Sequence, residues 1–238
     1  MEKILELKNI CFSYNGGVTA LEDISLDVCR GEALVLKGPN GCGKSTLLSV
    51  MNGILQPESG EYFIYGDRGN GTEAFEVTEK NLKDTRFSKW FYQQCGFIFQ
   101  NSDIQLFCGS VEEEIEFGPI QMGLDKQEIE RRTEDVLQLL QIEHLRDRAP
   151  YQLSGGEKRK VAIACILSMN PSILMLDEPL AGLDNRSQEW LTDFLLTLKE
   201  TGKTIVISTH NNSLAGTVAD RIVHMDEDHG ISRIENNR

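Results

Sequence analysis

The stretch Gly38-Pro39-Asn40-Gly41-Cys42-Gly43-Lys44-Ser45 decides the fold. It fits G-x-x-x-x-G-K-[ST], and four fixed positions match by accident in a chain of 238 residues on the order of 1% of the time. Its context suits a phosphate-binding loop: an apolar run at residues 33–36 reads as a strand before it, and residues 44–52 read as a helix after it. In such a loop glycines let backbone N–H groups close around phosphate oxygens, and the helix N-terminus adds favourable partial charge. Lys44 is placed to reach β and γ phosphates, Ser45 to ligate Mg²⁺, and Thr46 to share the first helical turn. Cys42 reads as a small, inert side chain within the loop.

Working outward, residues 4–10 and 21–28 read as strands, the second with Ile24, Leu26 and Val28 alternating against Ser25 and Asp27, and Asn15-Gly16-Gly17 marks a turn between them. A further strand is predicted at residues 62–65, and the polar stretch 66–94 carries no clear period. Asp125 is a candidate N-cap for a helix with Ile129, Val136, Leu137 and Leu140 on one face. After a strand at 173–176, a helix from Arg186 is expected, capped by Asn185 and Gln188 and stopped by Gly202, with Trp190, Phe194, Leu195 and Leu198 on one face. Strands follow at 204–208 and 221–225. Apolar strands alternating with helices predict an α/β core with a mostly parallel sheet.

The strand Ile173-Leu174-Met175-Leu176 ends in Asp177-Glu178. Beside a phosphate-binding loop, the first carboxylate suits the Mg²⁺ shell and the second suits polarising an attacking water. Composition narrows the rest. With 24 Lys and Arg against 37 Asp and Glu the formal charge is −13, which disfavours a sequence-independent nucleic-acid binder because that needs a basic surplus. Apolar runs such as 161–167 are far shorter than the ~20 residues that span a bilayer, and the opening residues carry no export pattern, so a cytosolic chain is expected. Six cysteines without CxxC spacing or a His partner read as reduced thiols.

Leu153-Ser154-Gly155-Gly156-Glu157-Lys158-Arg159 resembles the LSGGQ signature of ATP-binding cassette (ABC) ATPases, with Glu157 where Gln is commoner. The family's other motifs follow in order: Tyr14 as the adenine-stacking aromatic, Gln100 as the Q-loop residue, Ala181-Gly182-Leu183-Asp184 as the D-loop and His210 as the switch histidine. The resemblance covers nearly the whole chain. It implies a single ABC domain over residues 1–238, a P-loop NTPase with an antiparallel β subdomain, the core at about 1–98 and 160–238, and a helical insert at about 99–159 bearing the signature. It also implies ATP and Mg²⁺ as ligands, with Ser45, Gln100 and Asp177 near the metal, Glu178 as general base and His210 on the γ-phosphate. Two cassettes, like or unlike, would pair head to tail, so that Ser154, Gly155 and Gly156 of one complete the P-loop site of the other.

Two more segments narrow the resemblance. Phe99-Gln100-Asn101-Ser102-Asp103-Ile104-Gln105-Leu106-Phe107 and Val111-Glu112-Glu113-Glu114-Ile115-Glu116-Phe117-Gly118-Pro119 are similar to stretches in cassettes of energy-coupling-factor, cobalt and nickel importers, Ser102 standing where Pro is usual. This implies an ATPase peripheral to the cytoplasmic face of a membrane, driving import of a metal ion or vitamin through separate transmembrane subunits. Those subunits are expected to dock near residues 100–107, with Ile104, Leu106 and Phe107 as apolar contacts. Many such cassettes carry a C-terminal extension, for which 238 residues leave little room. The rival is a soluble cassette without a transport role, such as an iron-sulfur assembly ATPase.

Overall fold

The computed structural model describes residues 2–69 and 71–237. In chain order the elements are β1 (Lys3–Tyr14), β2 (Val18–Cys29), β3 (Ala33–Lys37), α1 (Lys44–Met51), β4 (Ser59–Asp67), β5 (Thr72–Glu76), α2 (Glu79–Lys83), α3 (Thr85–Gln94) and β6 (Cys95–Ile98). Then come α4 (Val111–Met122), α5 (Lys126–Leu140), α6 (Gly155–Leu167), β7 (Ile173–Asp177), α7 (Asn185–Glu200), β8 (Thr204–Ser208), α8 (Asn212–Val218), β9 (Arg221–Met225) and β10 (Ile231–Asn236).

They build two sheets. One is antiparallel in the order β2-β1-β4-β5, and the other has the order β10-β9-β3-β8-β7-β6, parallel throughout except for the β9–β10 hairpin at its edge. The parallel strands are buried on both faces and so read as continuous apolar runs rather than alternating ones. Within β7, Leu174 and Leu176 point into a core shared with α4, α5, α6 and α7, while Ile173 and Met175 point into a second core shared with α1 and the antiparallel sheet. The expected strands at 204–208 and 221–225 coincide with β8 and β9.

The last of the sequence-predicted helices is capped differently from the expectation. Asn185 is already the first residue of α7, and the cap is Asp184, whose carboxylate accepts from the backbone N–H of Ser187 at 3.0 Å and from its hydroxyl at 2.9 Å. Asn185 lies inside the helix, one residue past the capping position, and Gln188 instead donates its side-chain amide to the Leu183 carbonyl at 2.8 Å.

Leu176 is fully buried one position before Asp177, so the strand that presents the carboxylates depends on its packing. Leu176→Ala is expected to cost about 2–5 kcal/mol, the range for truncating a core leucine, read as a lower urea midpoint at unchanged slope. An unchanged midpoint would show that this core is loosely packed.

Candidate active site

In an open parallel sheet, ligands bind beyond the carboxyl ends of the strands. Four such ends converge here: β3 leads into Gly38, β6 into Phe99 and Gln100, β7 into Glu178, and β8 into Thr209 and His210. They border a cleft of about 500 Å³ whose lining includes Tyr14, Asn40, Gly41, Gly43, Lys44, Ser45, Thr46, Gln100, Glu178 and His210.

The P-loop geometry requires its glycines. Gly43 has φ 105°, and a Cβ there would lie 2.2 Å from the carbonyl oxygen of Ala20; at Gly38 it would lie 2.4 Å from that of Met225. Lys44 Nζ donates to the carbonyls of Gly38 and Pro39, both at 2.9 Å, so the ammonium lies along the loop at the start of α1. Cys42 is buried beneath, its Sγ 3.9 Å from the same ammonium.

Strand register assembles the carboxylate end. Asp177 pairs with Ser208 across β7 and β8, and Asp177 Oδ1 accepts from the Ser208 hydroxyl and, at 2.9 Å, from Ser45 Oγ. Ser45 and Asp177 therefore present hard oxygen donors together, the donor chemistry that Mg²⁺ prefers.

Glu178 has φ 42°, a left-handed conformation that costs a non-glycine residue about 1–2 kcal/mol. It is held there by hydrogen bonds from its N–H to the carbonyl (3.0 Å) and hydroxyl (3.2 Å) of Ser208. Its carboxylate accepts from the Thr209 hydroxyl at 3.2 Å and from the His210 N–H at 3.1 Å, and lies 2.9 Å from His210 Nδ1. The Glu178 side chain is only 12% exposed whereas that of His210 is 68% exposed, so one is sheltered and the other open to the cleft. Backbone strain of this kind concentrates where a reactive group must be aimed.

Tyr14 ends β1 half-exposed, braced edge-on by Phe12 with centroids 5.0 Å apart, and its hydroxyl is 3.1 Å from Thr46 Oγ1. Thr46 thus joins the aromatic to the P-loop helix.

Four of the expected ligands lie elsewhere. Ser154, Gly155, Gly156 and Asp184 line a separate cleft of about 430 Å³ with Lys160 and Ser187. Ser154 caps α6 in a reciprocal box: the Glu157 carboxylate accepts from the Ser154 N–H at 2.8 Å and from its hydroxyl at 2.7 Å. These contacts hold the Glu157 carboxyl below its ordinary range. The acidic residue in place of the commoner Gln completes the cap.

Three residues of these surfaces were not singled out from sequence. Arg159, 3% exposed, donates to the carbonyls of Phe99 at 2.7 Å and Gln100 at 2.5 Å, tying α6 to the loop beside the P-loop cleft. Within Lys158-Arg159-Lys160 it passes for one of a solvated basic run, but it lies one helical turn before Ile163 on the buried face. Burial lowers its pKa. Thr209 and His229 also reach the cleft or its carboxylate without any motif marking them.

A P-loop, a carboxylate pair and a histidine on one sheet edge, with a signature helix facing away, accompany a match to the ABC transporter family model over residues 21–181. The chain belongs to the ABC transporter family. The nickel import ATP-binding protein LarO of Lactiplantibacillus plantarum is 41% identical over 228 residues, spanning 96% of this chain and 91% of LarO. The cobalt import ATP-binding protein CbiO of Rhodobacter capsulatus is 43% identical over 222 residues, spanning 93% and 75%. The solved structure of CbiO1 from Clostridium perfringens, part of the ABC transporter complex CbiONQ, matches with a TM-score of 0.83 at 33% identity, covering 100% of this chain and 90% of that one. A dimeric ATP-binding cassette in a post-hydrolysis state with ADP and Pi matches at 0.85 and 30% identity, covering 99% of both. As an ABC cassette the chain is an ATP-binding transporter subunit that hydrolyses ATP to ADP and phosphate. No helix among the described residues is long and apolar enough to cross a membrane.

Proposed function

We propose that this ATPase works in pairs at the cytoplasmic face of a membrane and energises import of a transition-metal ion or a vitamin through separate transmembrane subunits. The observation that carries the transport reading is an apolar groove of about 390 Å³ beside the Gln100 loop, lined by Tyr92, Phe107, Phe117, Met122 and Met169. Phe107 is 67% exposed at its rim, edge-on to Phe117 with centroids 5.0 Å apart, and Ile104 next to it is 66% exposed. Leu106 between them is half-buried and packs partly against the helical core. Nickel and cobalt import by LarO and CbiO, and the place of CbiO1 in a larger transporter complex, support the same reading for this chain.

The chemistry follows from the cleft. Tyr14 stacks the adenine, and the loop amides with Lys44 hold the β and γ phosphates. Ser45 and Asp177 are the residues that would hold Mg²⁺, whose charge offsets that of the phosphates, with Gln100 close by. Glu178, aimed by Thr209 and His210, takes a proton from the attacking water, and His210 meets the γ-phosphate. Ser154, Gly155 and Gly156 of a second cassette close the site, so hydrolysis waits for pairing. Arg159 passes the position of the Gln100 loop to α6 and so towards the docking groove.

Phe107→Asp tests the transport reading. A charge at an apolar contact is expected to abolish co-purification of a membrane subunit from detergent extracts while ATP affinity and melting temperature stay at parental values, since the side chain is exposed. Full retention of the membrane subunit by the stable variant would contradict the docking role. Recovery of soluble scaffold proteins alone with the parent would favour the cassette without a transport role.

A further inference from the structure

We propose that His229 reads the sugar of the bound nucleotide, hydrogen-bonding a ribose hydroxyl and so selecting ribonucleotides over deoxyribonucleotides. The inference rests on the reading of the P-loop cleft as the ATP site and adds a specificity-determining residue to it.

His229 stands in the turn between β9 and β10, anchored at both ends of its peptide. Its N–H donates to the Asp226 carbonyl at 3.2 Å, and its carbonyl accepts from the Glu22 N–H at 3.0 Å, fastening the turn to β2. Its φ is 62°, a left-handed conformation that glycine adopts freely and a side chain adopts at a cost. The imidazole is therefore kept at a position where having no side chain would be more favourable for the fold. His229 lines the P-loop cleft, and its Nδ1 is buried without a hydrogen-bond partner among the described residues. A buried polar atom left unmet is costly, and such atoms in native proteins ordinarily find protein, water or ligand partners.

The position along the cleft selects the ribose. A nucleotide with its base on Tyr14 and its phosphates on Lys44 and Ser45 must lay its sugar between them. That wall is formed by the start of β2: Val18 pairs with Tyr14 at one end, and Ala20 abuts Gly43 of the P-loop at the other. His229 joins the cleft lining beside Val18 and Ala20 and is bonded to Glu22 just beyond them. An imidazole both donates and accepts, which matches a hydroxyl.

The test compares binding of ATP, 2′-deoxy-ATP and 3′-deoxy-ATP by calorimetry to the parent and to His229→Gly. The parent is expected to bind ATP about 3- to 10-fold more tightly than one of the deoxy analogues, the scale of one hydrogen bond. His229→Gly is expected to weaken ATP by that factor, leave that analogue unchanged and so erase the discrimination. Its melting temperature should hold or rise, because glycine relieves the left-handed backbone. Unchanged affinity for all three nucleotides in the variant would overturn the proposal, and so would an equal loss for all three, which marks a phosphate contact instead. Lys44→Ala separates the underlying reading: parental ATP affinity in that variant would remove the cleft as the nucleotide site, whatever His229 does.

Discussion

Glu178→Gln is expected to lower steady-state phosphate release by at least about 100-fold, the scale of losing a positioned general base, while ATP affinity stays near the parental value. The substitution keeps the side-chain shape: an amide oxygen in the Oε1 place still accepts from the His210 N–H, an amide nitrogen in the Oε2 place donates to the Thr209 hydroxyl, and the backbone bonds to Ser208 that hold the left-handed conformation are untouched. What it removes is basicity at the one carboxylate that lies beyond β7 with no part in binding Ser45. The proposed nucleotide contacts are Lys44, the loop amides and Tyr14, and the Glu178 side chain bonds instead to Thr209 and His210. Calorimetric titration together with a coupled phosphate assay separates the two quantities. Near-parental turnover would take the role of base away from Glu178.

Gly155→Glu should be equally severe at a residue that lines a different cleft from Lys44. Gly155 opens α6, and a Cβ there meets nothing within 4 Å, so the isolated subunit accommodates a side chain. An acid in the first helical turn also suits the helix dipole, which keeps the melting temperature at or above the parental one. In a pair, the same carboxylate would sit against the γ-phosphate on the facing P-loop and repel it. Turnover is therefore expected to fall by about 100-fold or more, as when a preorganised oxyanion donor is lost, with ATP affinity for the isolated chain unaltered. Parental turnover in this variant would show that Gly155 takes no part in the reaction.

Legibility in the sequence tracked how narrowly each position is constrained. The P-loop declares itself because at Gly43 and Gly38 a Cβ would collide with neighbouring carbonyls, and β7 and β8 declare themselves because burial on both faces leaves unbroken apolar runs, residues 173–176 and 205–207, inside their polar ends. β1 and β2 each run for 12 residues, longer than their alternation suggests. Asn9 and Asp23, both left-handed at φ 51° and 49°, insert irregularities that shift the apolar period without ending the pairing. In residues 66–94, β5 is an exposed edge strand with no buried face to impose a pattern. The apolar face of α3, Phe87, Trp90 and Phe91, is legible only once Asp84 is taken as its cap. α6 runs on from Gly155 to Leu167, so residue 159 lies inside a helix rather than at an edge. His229 lay beyond any motif because its significance is spatial: a turn residue enters the cleft only once β9 is placed beside β3.

The shared site is the central claim, and light scattering on Glu178→Gln with and without ATP tests it most directly. Hydrolysis being blocked, ATP is expected to double the 26.8 kDa mass of the chain, or to join it to a co-expressed sister cassette, and Gly155→Glu introduced into the same protein is expected to prevent the association. A mass that does not respond to ATP in either setting, or an association that survives Gly155→Glu unchanged, would contradict a site built from two cassettes.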